Sequence, residues 1–192
     1  MSSNNVRSVV PPNFPVASKE YSAAWQDQFI NMLRLYLNNS ANAINAPKVF
    51  GSYYSTDGQT NPVANTEHLM TFNNTTAAYN TKIGSPTSRV FVSETGIYNI
   101  QFSAQFNLTS GSGGDIYVWL KLNGVNVPAS AGKVVISGPN AEVLPAWNYV
   151  LLLETNDYVE LAWASGDIHA ILQTTAATSL VPSVPSVILT VT

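Results

Sequence analysis

The sequence predicts a mostly β protein: an antiparallel jelly-roll sandwich preceded by an extended arm and one N-terminal helix. Three observations lead there. Apolar residues recur with helical spacing only between residue 18 and about residue 44. From Lys48 onward the recurrence has period two, in about nine or ten short runs separated by turn-rich segments. No second helix and no internal repeat interrupts these runs, which argues against a propeller or solenoid and leaves a sandwich or barrel that protects its edges. The chain therefore divides into residues 1–46, an arm with a helical anchor or neck, and residues 47–192, a jelly-roll head.

The arm comes first. Pro11-Pro12-Asn13-Phe14-Pro15 favours polyproline geometry and cannot join a helix or a central strand. The helix follows, with Ser18 as its expected N-cap and Glu20 in its first turn. Trp25, Phe29, Met32, Leu33 and Tyr36 fall on one helical face, and Ile30, Leu33, Leu37, Ala41 and Ile44 make a second stripe beside it. Two adjoining stripes are wider than a two-stranded seam needs. They fit a bundle of three or more helices, docking on a partner, or packing on the chain's own domain. Trp25, Phe29, Met32, Leu33, Tyr36 and Leu37 are thus the expected anchor and trimer residues. Asn42, Asn45 and Pro47 end the helix.

The strands are legible from alternation. Tyr98, Ile100, Phe102, Ala104, Phe106 and Leu108 alternate with polar residues, which predicts one long strand with a buried face. Ile116, Val118, Leu120 and Leu122 repeat the rule, with Tyr117 and Trp119 opposite. Asn123-Gly124 predicts a two-residue hairpin, because both residues accept positive φ. Tyr158 to Trp163 and Val187 to Val191 alternate likewise. Shorter strands are expected at 49–54, 69–72, 90–92, 133–137, 149–153 and 169–174, with turns at 56–62, 84–88, 110–114, 137–140 and 155–157. The aromatics on the opposite faces, Tyr117, Trp119, Tyr149 and Tyr158, are the candidates for a three-fold axis, or else pack under a loop of their own subunit.

Composition limits the function. Charged residues are only 10% of 192, with eight Lys plus Arg and a net charge of −3. Eight basic residues cannot build a nucleic-acid stripe. Asn, Ser and Thr number 20, 20 and 16, so the polar surface is neutral and only weakly salt-sensitive. There are no cysteines, which excludes disulfides, thiolate zinc and cysteine nucleophiles. A hydrophobic content of 45% points to buried subunit contacts beyond a single core, or simply to a β-rich core. The longest aliphatic run, Val150 to Leu153, is far below the ~20 residues of a membrane span.

The order of signals from Thr66 to Thr192 resembles the trimeric globular head shared by complement-type and tumour-necrosis-factor-type jelly rolls. Leu69-Met70-Thr71-Phe72, Phe91 to Tyr98 with its Gly96-Ile97-Tyr98, Val118 to Gly124, Leu151 to Leu161 and Ser186 to Val191 carry the likeness. One departure is Asn156, where the family has glycine; asparagine also tolerates the left-handed turn. Residues 11–39 resemble the N-terminal segment of fibre or appendage proteins of tailed bacteriophages, through the Pro11–Pro15 stretch and Tyr21, Trp25, Gln28, Phe29 and Leu33 to Tyr36. Together the resemblances imply a homotrimeric virion protein on the particle exterior, a tail or head fibre. Residues 1–45 would grip other virion proteins, and the head would meet the host surface, with a surface glycan as its partner, through loops such as 56–62 and 110–114. A capsid decoration or cement protein is the alternative, and a glycan hydrolase the remote one.

The sequence carries no recognised catalytic motif. His68 and His169 lack metal-ligand spacing. There is no Gly-x-Ser-x-Gly elbow, and the Ser110–Gly114 stretch lacks the lysine of a phosphate loop. Asp115, Glu154, Asp157, Glu160 and Asp167 are the carboxylates from which a glycosidase pair would have to come, and Asp115 or Asp167 the ones from which a calcium ion would draw oxygens. The expectation is no enzyme, no cofactor and no resident metal.

Overall fold

The computed structural model describes residues 12–16, 19–20, 22–44 and 49–192, without the side chains of 41–44. The chain separates into two compact units, Met1–Pro47 and Lys48–Thr192. The expectations for residues 1–11, for Ser18 and Tyr21, and for Asn45 and Pro47 lie outside the described residues.

The first unit holds helix α1, Ala23–Ile44. It starts later than its periodicity suggests. Ser22 caps it: its Oγ accepts the Trp25 amide at 3.3 Å and its carbonyl the Gln26 amide at 3.0 Å. Glu20 therefore precedes the helix, and the first turn carries no acidic residue. Trp25 and Phe29 stack with centroids 5.4 Å apart, and Phe14 packs on Phe29 at 5.3 Å. The Trp25 indole N–H donates to the Val16 carbonyl at 2.8 Å. Residues 14–16 are thus tied to the first turns of the helix.

The second unit contains β1 (Phe50–Ser55), β2 (His68–Leu69), β3 (Asn74–Tyr79), β4 (Thr81–Ile83), β5 (Val90–Val92), β6 (Gly96–Ala104), β7 (Phe106–Leu108), β8 (Gly113–Leu122), β9 (Val125–Asn126), β10 (Gly132–Ser137), β11 (Glu142–Val143), β12 (Ala146–Leu153), β13 (Tyr158–Ser165), β14 (Ala170–Leu172) and β15 (Val187–Val191). Every strand pairing among the described residues is antiparallel. One sheet runs β12-β6-β15-β1-β3, a second runs β10-β8-β13-β5-β4 with β2 and β9 attached, and β11-β7-β14 form a small third. This is the mostly β, jelly-roll-like sandwich expected from the alternation.

Inward residues of the two large sheets meet in one core. Tyr53, Ile100, Phe102 and Leu189 come from the first sheet, and Val118, Leu120, Leu161 and Trp163 from the second. Each large apolar side chain buried this way contributes roughly 1.5–3 kcal/mol. Phe106 of β7 sits against Trp163 at 5.1 Å and closes one end. The Tyr53 hydroxyl donates to Thr81 Oγ1 at 2.6 Å, and burial, partly offset by that bond, raises its pKa.

Three departures from the sequence reading have physical causes. The run 98–108 is split. Gln105 gives its amide to Ser186 and accepts the Gln173 amide, both at 2.8 Å, so the chain leaves the first sheet there and β7 pairs elsewhere. The expected strand 69–72 is reduced to His68–Leu69, yet Met70 and Phe72 are still buried. Strand β3, Asn-Thr-Thr-Ala-Ala-Tyr, has almost no apolar alternation; its backbone pairing with β1 makes it a strand. The Asn123-Gly124 turn has positive φ at both positions, and Asn156 has φ 72°, the left-handed geometry its turn requires.

Candidate functional site

The sandwich presents two outward faces of opposite character. No charged residue occurs anywhere in β1, β3, β6, β12 or β15, strands of 6, 6, 9, 8 and 5 residues. At the chain's 10% charge frequency about three would be expected. The second sheet carries Lys82, Asp115, Lys121, Lys133 and Glu160 within its strands. The described Lys/Arg–carboxylate ion pairs, Arg89–Glu160, Lys121–Glu67 and Lys133–Asp115, all involve that sheet.

Register orders the uncharged face into rows. At one end Leu152 opposes Ile97 and Val150 opposes Asn99, while Phe50 opposes Tyr79 with stacked rings 6.3 Å apart. The next row, Asn148, Gln101, Thr190, Ser52 and Ala77, is polar and neutral. The last holds Ala146, Ser103, Ile188, Tyr54 and Asn74. Ile97, Val150, Leu152 and Tyr79 are 58%, 62%, 51% and 55% exposed. A neutral face with a large apolar end is the composition of an association surface.

The four aromatic axis candidates do not share a face. Tyr117, Trp119 and Tyr158 lie outward on the charged sheet, each already engaged. Tyr117 donates to Asp115 at 3.0 Å, Trp119 donates to Asn126 at 2.9 Å, and Tyr158 packs on Phe91 beneath the Arg89 guanidinium. Tyr149 belongs to β12 and turns inward. It stacks on Phe102 and accepts the Trp147 indole N–H at 2.7 Å, and burial, partly offset by that bond, raises its pKa. In the helix, Trp25, Phe29, Met32, Leu33 and Tyr36 are half-buried, while Leu37 and Ile30 remain exposed.

No protein-family model matches the chain, and no curated protein matches it. Among solved structures it is similar to the globular domain of zebrafish complement 1qA protein. The match covers 76% of this chain and 96% of that one at 14% identity, with a TM-score of 0.45.

Four of the five candidate carboxylates have structural partners. Glu160, 2% exposed, accepts from Ser88 at 2.7 Å and from Arg89 at 3.4 Å. Asp115 accepts from Lys133 at 3.3 Å, and Asp157 accepts from Asn123 and from the Glu154 amide. Asp167 latches the glycine-rich loop, accepting the Gly113 amide at 3.0 Å and the His169 amide and ring at 2.9 Å. The His169 amide first, then its ring and the Gly113 amide, outweigh partial burial and hold this carboxyl below its usual value. His68 bonds Asn61 at 2.8 Å and lies against Trp163. Among the described residues no group of three or more His, Asp or Glu could hold a metal, and no helix is long and apolar enough to cross a membrane.

The residues missed from sequence are Phe50, Tyr79, Ile97, Val150 and Leu152. The signal for two of them was present: an unbroken run Val150–Leu153 cannot keep its apolar residues on one face of a strand.

Proposed function

We propose that the chain is a non-enzymatic structural component of a bacteriophage particle. Three copies form a fibre-like appendage whose N-terminal segment grips the particle and whose jelly roll stands outward as an attachment head. The observation that carries this reading is the charge-free five-stranded sheet with its exposed apolar end. Copies of one chain packed side by side meet no like-charge repulsion on such a face, and three-fold closure buries its apolar end in every copy. The proposed axis runs through Ile97, Val150 and Leu152 rather than Tyr117, Trp119 and Tyr158: Tyr117 and Trp119 already bond Asp115 and Asn126, and the Tyr158 ring is covered by Phe91 and the Arg89 guanidinium. Helix α1 supports an anchoring role: one stripe is covered in part by Phe14, while Ile30, Leu35 and Leu37 stay exposed beside it.

Deleting residues 1–47 tests the division of labour. The expected product is a soluble, cooperatively folding head that no longer enters particles. Incorporation without these residues refutes the anchor. Particle microscopy then separates the locations: density at tail or portal-adjacent proteins fits a fibre, whereas many equivalent capsid sites would make it a decoration protein.

A further inference from the structure

The far end of the uncharged face carries a groove of about 550 Å³, within the roughly 300–1,000 Å³ of small-molecule sites. Its floor is Ser52 and Tyr54 of β1 with Ile188 of β15, and Thr76 of β3 forms one wall. The opposite wall is the segment between β14 and β15. There Thr175 and Val184 exchange backbone hydrogen bonds of 3.0 and 2.8 Å, which fixes the rim.

We propose that this groove binds a neutral carbohydrate. Seven of its lining residues carry hydroxyls, and none is charged. Only the Thr56 hydroxyl is engaged, accepting from the Asn73 and Asn74 amides at 2.9 and 3.4 Å. The hydroxyls of Ser52, Tyr54, Thr76, Thr174, Thr175 and Ser183 have no partner among the described residues. Each can donate and accept. A phosphate or a cationic ligand would find no opposite charge here, and a purely apolar ligand would strip water from six hydroxyls and replace none of its bonds. A sugar matches both halves of the surface. Its hydroxyls exchange bonds with the threonines and serines, and its C–H face rests on Val184, Pro185, Ile188 and the Tyr54 ring. The groove lies on β15, β1 and β3, whereas Ile97, Val150 and Leu152 lie on β6 and β12 at the other side of the sheet, so association through those three leaves it open. Single-site affinity for such a ligand is modest, and three copies on one head raise it by avidity.

This deepens the host-contact part of the proposed function. The test is retention of the labelled intact chain on a printed panel of neutral glycans, with sialylated and sulfated glycans as charged controls. The expected result is binding to neutral glycans alone. Thr76→Glu and Ser183→Glu, both at exposed positions, should each weaken it by about tenfold or more with unchanged melting. Absence of any neutral-glycan binding, or equal binding by both variants, overturns the proposal. So does a change in sedimenting mass of either variant, which would mean that a second copy fills the groove. Sedimentation of the same samples keeps the two readings apart: a trimer that binds no neutral glycan loses only the groove, and a monomer that binds one loses only the trimer.

Discussion

Replacing Ile97 and Leu152 together by serine should dissociate the trimer. The two side chains oppose each other across β6 and β12 and are 58% and 51% exposed in the single chain. About half of each therefore remains to be buried by association. Full burial of such a side chain contributes roughly 1.5–3 kcal/mol, so the pair accounts for about 2 kcal/mol per copy and about 6 kcal/mol per trimer. At 1.4 kcal/mol per tenfold, the dissociation constant should rise by about four orders of magnitude. Sedimentation equilibrium over about a hundredfold range of concentration reads this directly. The parent chain should sediment near three times its 20.7 kDa, about 62 kDa, and the double variant near 20.7 kDa. Tyr117→Ser, on the charged sheet, should leave the mass unchanged. A parent chain that stays at 20.7 kDa refutes the reasoning. So does a trimer that survives the double substitution but falls apart with Tyr117→Ser.

Other consequences follow from single contacts. Asp167→Asn should destabilise by about 1–2 kcal/mol near neutral pH, because its charge-assisted bonds to the Gly113 and His169 amides weaken. The folded carboxyl titrates below its ordinary value near 3.8, so its contribution is present above about pH 4 and is lost as pH falls through the lower folded value; thermal melts from about pH 2 to 6 should lose that step in the variant. Gly113→Ala should lower the melting temperature by at least about 4–8 °C, since φ is +81° and a Cβ would strike the Ile136 carbonyl. Gly138→Ala, at φ +88° but facing open space, should cost less; equal losses would contradict this account. Arg89→Ala should cost about 1–3 kcal/mol, because it leaves the buried Glu160 carboxylate only its Ser88 partner. Glu160→Gln keeps that bond and should cost less, as judged by urea midpoints at unchanged slope.

The sandwich was legible because its core strands obey period two and its turns carry Asn-Gly, Asn and Gly where positive φ is needed. What escaped was set by partners rather than by local pattern. Strand β3 is polar, and only the backbone of β1 beside it makes it a strand. The continuous alternation from Tyr98 to Leu108 says nothing of the break at Gln105, because Ala104 and Phe106 are buried on either side of it. The helix cap shifted from Ser18 to Ser22 because serines with suitable spacing recur within one turn, and tertiary context chooses between them.

The uncharged face was hidden for a deeper reason. Its five strands are scattered from residue 50 to residue 191, and absence of charge is conspicuous only once they are placed side by side. Along the chain each neutral run looks like ordinary Asn-, Ser- and Thr-rich sequence. In space they exclude charge from one sheet, while the other sheet holds the Lys/Arg–carboxylate pairs. Aromatics on outward positions drew the sequence reading to Tyr117, Trp119 and Tyr158, yet each meets its polar or aromatic partner within the chain. Ile97, Val150 and Leu152 carry no polar atom that could be satisfied in this way. Their exposed surface can be removed from water only by another surface, and because the five strands of that sheet carry no charge a second copy of the same face can come close enough to do so.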